Sequence, residues 1–134
     1  MRIWSIALLA ALSFGIADAA MGTKGHAQTR IALKSGESVE VGPVYYVSNC
    51  RSIMVGLPQI EILEGPQQVT LSIKEGTVLP RRQNCANRVP GGILVATAKD
   101  VLQPIESKIT FRLKFNTKDG DRQTGHVYLL SLFP

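Results

Sequence analysis

A chain of 134 residues leaves room for one domain and little space for a second. Its formal net charge of +5 is an ordinary solubility margin for a small domain, and it also permits anionic partners, so charge alone decides nothing.

Met1-Arg2 supplies a short positive start, and Ile3 to Ile16 then runs without a charge, rich in Ile, Leu and Ala. Ala17-Asp18-Ala19 gives the small-x-small pattern accepted by signal peptidase, so residues 1–20 read as a cleaved secretory signal ending after Ala19 or Ala20. The apolar run is short for a membrane span, which needs about 20 residues, so a retained anchor is the weaker alternative. Cleavage would remove Arg2 and Asp18 together and leave the net charge unchanged. The expected location is periplasmic or extracellular, with no transmembrane segment after cleavage.

Residues 21–29 are polar and aperiodic and are expected to form a flexible tail, with the folded domain at residues 30–134. From Arg30 onward the pattern is β. Ile31 and Leu33 start a short strand, Lys34-Ser35-Gly36-Glu37 has turn composition, and Ser38 to Val41 is a second strand ended by Gly42-Pro43. Val44 to Val47 is apolar and aromatic. Gln59 to Leu63 alternates Ile60 and Ile62 with polar neighbours, and Val69, Leu71 and Ile73 share one face of Gln68–Lys74, the period of a half-buried strand. A long connection is expected over Glu75–Gly92. Ile93 to Ala98 is a further strand, and Asp100 to Ser107 a connection with room for a turn of helix.

Lys108 to Phe115 is the clearest strand. Ile109, Phe111, Leu113 and Phe115 face one way, and Lys108, Thr110, Arg112 and Lys114 the other. Asp119-Gly120 marks a hairpin, and the return strand Gly125–Phe133 is apolar on both faces, which predicts a central place in its sheet. Seven to eight short strands without an amphipathic helix predict an all-β sandwich or small barrel, with the sandwich favoured. A transmembrane barrel is excluded by strand length, low aromatic content and the charged face of Lys108–Lys114.

The mature chain holds Cys50 and Cys85, an even count in an oxidising compartment, where pairing is the default. The alternatives are two free thiols or a metal site, and the sequence offers no CxxC for the latter. A bridge would close a loop of about 36 residues, for which the chain-entropy relation gives about 3–4 kcal/mol. It is expected to tie the irregular connection to the sandwich, so that reduction loosens residues 75–92 more than the final hairpin.

Pro58-Gln59-Ile60-Glu61-Ile62, Gly65-Pro66 followed by Val69–Ile73, and Gly92-Ile93-Leu94-Val95 together resemble the start of a bacterial immunoglobulin-like or cadherin-like domain. The hairpin from Ile109 through Leu132 resembles the closing strands of that family. The likeness spans residues 58–133 and implies an immunoglobulin-like antiparallel β-sandwich in an extracytoplasmic setting. It departs from the family at Ala96-Thr97-Ala98, where an aromatic and a proline are common, and in lacking clustered calcium ligands. Asp119 and Asp121 form only a fragment of a calcium loop. No site is carried over.

No catalytic, cofactor or metal constellation emerges. His26 lies in the tail and His126 in the last strand, neither in a nucleophile frame. Met21 and Met54 make no copper-ligand spacing with them. Glu61 and Glu64 are expected on different strand faces, unlike a glycosidase pair. One feature stands above background: Arg81, Arg82 and Arg88 lie on the loop that carries Cys85, and a pinned loop with forked guanidinium donors suits phosphate or carboxylate groups. Lys108, Arg112 and Lys114 offer a second basic surface, and a solvated loop is the plain alternative. No aromatics interleave with the cations, so nucleic acid is not an expected partner.

The reading is an exported, non-enzymatic binding or structural module of the cell envelope that contacts an anionic component or a protein. Two alternatives are an inhibitor of a secreted enzyme such as lysozyme, on the strength of Lys34-Ser35-Gly36-Glu37, and a small hydrolase using His126. A basic inhibitor is a poor electrostatic match for a basic lysozyme.

Overall fold

The computed structural model describes residues 29–134. The predicted signal and nearly all of the predicted tail fall outside the described residues. Nine strands follow in order: β1 (Arg30–Lys34), β2 (Ser38–Val44), β3 (Val47–Ser48), β4 (Arg51–Ser52), β5 (Gln59–Glu64), β6 (Val69–Val78), β7 (Val89–Ala98), β8 (Ile105–Thr117) and β9 (Gly120–Phe133). One sheet has the order β1-β9-β8-β5 and the other β2-β7-β6, while β3 and β4 form a small separate hairpin. Among the described residues, no helix is long and apolar enough to cross a membrane.

The core follows from strand alternation. Ile109, Phe111, Leu113 and Phe115 of β8 are buried, as are Leu130 and Leu132 of β9 and Ile31 and Leu33 of β1. Across the gap they meet Val69 of β6 and Leu94, Ala96 and Ala98 of β7, with Leu71 and Ile73 partly buried against them. Phe111 is 0% exposed and touches the rings of His126 and Tyr128 at centroid distances of 5.2 and 5.4 Å. Strand β9 lies between β1 and β8, the interior place expected for it, but its two faces are not equally covered: Leu130 and Leu132 are buried, whereas Val127 and Phe133 are exposed.

The structure corrects four expectations. The first sheet is mixed, because β1 runs parallel to β9 with Arg30 opposite Leu129 and Lys34 opposite Phe133. A five-residue alternation carries no strand direction, and here direction is set by the turn after Lys34, which sends the chain into the other sheet. Second, β2 continues through Gly42-Pro43, because β2 is an edge strand where a missing N–H costs no ladder bond, and a bulge between Glu40 and Gly42 absorbs the irregularity.

Third, the long connection shrinks to Leu79–Arg88, because β6 and β7 pair over ten residues each, up to Val78 opposite Val89. The glycines that read as loop signals instead mark close packing. A Cβ at Gly91 would lie 2.6 Å from the Val44 carbonyl oxygen, and one at Gly92 would lie 2.5 Å from Ile73 Cγ2. Fourth, Asp100–Ser107 holds no helix. Residues 99–104 are irregular, and β8 begins at Ile105.

The connections sort to two ends. At one end the β1–β2 turn, the β5–β6 turn and the β7–β8 connection are joined by Gly36 N–H to Ala98 O (2.8 Å), Lys99 N–H to Gln68 O (2.8 Å) and Val101 N–H to Ser35 Oγ (3.2 Å). The Ser35-Gly36 turn is thereby bonded into the sandwich. At the other end stand the β3–β4 hairpin, the 79–88 loop and the β8–β9 turn.

Candidate functional site: a disulfide-clamped basic end

The β3–β4 hairpin turns on Asn49 and Cys50, both at positive φ (51° and 59°). Two consecutive left-handed residues make the type I′ geometry that matches strand twist, so the turn aims Cys50 away from the hairpin. Cys50 is bonded to Cys85, with a Cα–Cα distance of 5.5 Å. The bridge therefore joins two surface connections rather than two core strands, as the position of the cysteines predicts.

Arg81-Arg82-Gln83 forms a single 3₁₀ turn closed by Asn84 in the left-handed region, whose N–H bonds to Arg81 O at 3.0 Å. Cys85 N–H reaches Pro80 O at 3.2 Å, Tyr45 Oη donates to Gln83 Oε1 at 3.0 Å, and Arg88 Nη1 donates to Thr77 O at 3.3 Å. Arg81, Arg82 and Arg88 are all exposed. The loop backbone is small and tethered at several points, which fixes where the arginines leave the main chain.

The β8–β9 turn joins this assembly through backbone bonds: Val55 N–H to Asn116 O at 2.7 Å and Lys118 N–H to Ile53 O at 2.9 Å. Thr117 Oγ1 accepts from Asp119 N–H and donates to Gly120 O, fixing the turn from within. Exposed Lys118 and Arg122 are thus brought beside the clamped loops, and Arg51 follows Cys50 directly. Arg51 was legible from its place next to a bridged cysteine. Lys118 and Arg122 were not, because only the pairing of Met54 with Thr117 links their turn to the β3–β4 hairpin.

Most basic residues of the described chain fall into two groups, with Lys34, Lys99 and Lys108 outside both. On the sheets, cations meet carboxylates: Arg30 pairs with Glu106 at 2.8 Å, and Lys74 pairs with Glu40. Glu61 receives Arg112 as a fork, with Nη2 at 2.7 Å and Nε at 3.1 Å, and also Lys114 at 2.5 Å. The two cations hold the Glu61 carboxyl down to about 2, with the Arg112 hydrogen bonds the larger cause and the Lys114 bond next. The second basic surface expected at Lys108, Arg112 and Lys114 is thus reduced by one charge, because β5 pairs with β8 and sets Glu61 opposite Arg112, where Arg112 and Lys114 share it, while Lys108 makes no ion pair among the described residues. At the clamped end, Arg51, Arg81, Arg82, Arg88, Lys118 and Arg122 make no ion pair among the described residues, and the local acids are Asp119 and Asp121.

His126 is partly buried. It stacks on Phe111, and its Nε2 lies 2.8 Å from Thr124 Oγ1. Burial pushes its pKa down, and the nearby Arg82 guanidinium pushes it further the same way. Burial raises Tyr128, which the same arginine partly opposes. Among the described residues, no group of three or more His, Cys, Asp or Glu side chains has a metal-holding arrangement.

Comparison with protein-family models, with curated proteins and with solved structures finds no match.

Proposed function

We propose that this chain is an exported, non-enzymatic binding module of the cell envelope with an immunoglobulin-like sandwich, which engages an anionic partner through its disulfide-clamped end. The observation that carries the reading is the segregation of charge. Six unpaired cations and two carboxylates sit on three cross-linked connections, while the sheet faces pair much of their charge internally.

Strand order supports the immunoglobulin-like part. Lettering β1, β2, β5, β6, β7, β8 and β9 as A to G yields B-E-D in one sheet and A-G-F-C in the other, close to the immunoglobulin constant arrangement. In that scheme the basic end carries the B–C and F–G connections, which immunoglobulin variable domains use for recognition. Planar guanidinium forks match phosphate or carboxylate groups, and the tethered loop backbone adds little ordering cost on meeting them. The contacts of His126 with Phe111 and Thr124 give it a packing role, which favours binding over hydrolysis.

The test is retention of the protein on dextran-sulfate beads across a salt gradient, comparing wild type with the Arg81→Ser/Arg82→Ser/Arg88→Ser variant. At about 0.5 kcal/mol per screened contact, loss of three contacts weakens binding about tenfold at low salt. Superimposable profiles for the two proteins remove the arginine loop from the account.

A further inference from the structure

Between the β3–β4 hairpin and the β8–β9 turn lies an open cleft of about 560 Å³, walled by Ser48, Asn49, Arg51, Ser52 and Ile53 on one side and by Lys118 and Asp119 on the other. The two walls are fixed to each other by the backbone bonds from Val55 to Asn116 and from Lys118 to Ile53, so the cleft exists before any ligand arrives. Its chemistry is mixed in a particular way. Two cations stand beside one carboxylate and three small hydroxyl or amide side chains. Among the described residues, none of these side chains makes a side-chain hydrogen bond or ion pair except Ser52, whose Oγ accepts from Met54 N–H at 3.4 Å.

A bare polyanion would find Asp119 repulsive, although Ser48 and Asn49 could donate to it. A peptide would find Ile53 as its one apolar contact, short of the aromatic or aliphatic pocket that anchors most protein contacts. A ligand rich in hydroxyl groups and carrying an acidic group uses every wall. Its hydroxyls donate to the Asp119 carboxylate and exchange bonds with Asn49 and Ser48, and its anionic group meets Arg51 and Lys118. Resting on the binding role proposed above, we infer that this cleft is a site for an acidic saccharide, a sugar bearing carboxylate groups.

The experiment is calorimetric titration of the full mature chain with trigalacturonate, tripolyphosphate and maltotriose, using wild type, Asp119→Asn, Asn49→Gly and Arg51→Ser/Lys118→Ser. Asn49→Gly keeps the positive φ of its turn, and Asp119 makes no side-chain bond within the fold, so both variants fold as wild type and melt at its temperature. Trigalacturonate is expected to bind more tightly than tripolyphosphate, with no measurable binding of neutral maltotriose. Asp119→Asn should weaken trigalacturonate about tenfold and leave tripolyphosphate equal or stronger, as loss of a charged hydrogen-bond acceptor requires. Asn49→Gly should weaken trigalacturonate alone, and the double cation variant should weaken both anions.

Tighter trigalacturonate binding by Asp119→Asn would overturn the saccharide site while leaving a plain cationic surface, and with it the proposed function, intact. Failure of wild type to hold either anion at low salt would overturn both. Trigalacturonate displayed on neutral vesicles should bind as the free oligosaccharide does. Binding confined to the vesicles would assign the site to a membrane surface and overturn this one.

Discussion

Removing the Cys50–Cys85 bridge, by Cys50→Ser/Cys85→Ser or by reduction, tests how the clamped end is built. The cysteines are 35 residues apart in sequence. The chain-entropy relation for a loop of that length gives a loss of about 4 kcal/mol, against a total of about 5–15 kcal/mol for a domain of this size. At roughly 4–8 °C per kcal/mol, the melting temperature should fall by about 15–30 °C. The local consequence is more specific. Without the bridge, Leu79–Arg88 retains the weak bonds from Asn84 to Arg81, Cys85 to Pro80, Tyr45 to Gln83 and Arg88 to Thr77. The β8–β9 hairpin keeps thirteen paired positions. Hydrogen exchange under native conditions should therefore show residues 80–88 and 48–52 losing protection at the earliest times, with the β8–β9 amides still slow. The affected window is narrower than the 75–92 expected from sequence, because residues 75–78 and 89–92 belong to paired strands. Equal loss of protection in the loop and the hairpin, or no loss in either, would refute the picture of a loop ordered by its bridge.

Gly91→Ala should cost about 1–3 kcal/mol by overpacking, because its Cβ would meet the Val44 carbonyl and, at 2.9 Å, Val78 Cγ2. Gly125→Ala, with open space around its Cβ, should stay within about 0.5 kcal/mol of wild type in urea titrations. The Glu61 carboxyl, lowered from 4.5 to about 2 in the folded chain, contributes stability that is full above pH 4.5 and lost as pH falls toward 2. Arg112→Gln should move the Glu61 midpoint upward in carboxyl NMR titrations, and an unchanged midpoint would remove the Arg112 fork as its cause. His126, held below its ordinary 6.5, favours the folded state when neutral, so its contribution is full above pH 6.5 and declines as pH falls through the lowered value. Arg82→Ser should raise the imidazole midpoint part of the way back, because burial remains. A midpoint that does not move would place the Arg82 charge away from the β9 edge.

Local periodicity alone determined the all-β class, the inward face of Lys108–Phe115 and the central place of the last strand, because alternation with period two reports burial wherever a sheet has one wet face. The cysteine count sufficed for the partner in the disulfide, since two cysteines allow one pairing. Tertiary structure decided the parallel β1–β9 pairing, which depends on the order of strands distant in sequence. It also turned Gly91-Gly92 from a loop signal into a packing requirement, because a glycine reads the same whether it bends the chain or admits a neighbour. The candidate site shows the division most clearly. Arg81, Arg82 and Arg88 were visible as a run beside Cys85, whereas the pairing of Arg112 and Lys114 with Glu61 depends on the β5–β8 register. The gathering of Arg51, Lys118 and Asp119 around one cleft likewise depends on a bridge between Met54 and Thr117. Charge is a property of single residues and can be counted along a chain, but whether a charge is free depends on which residue folding sets opposite it.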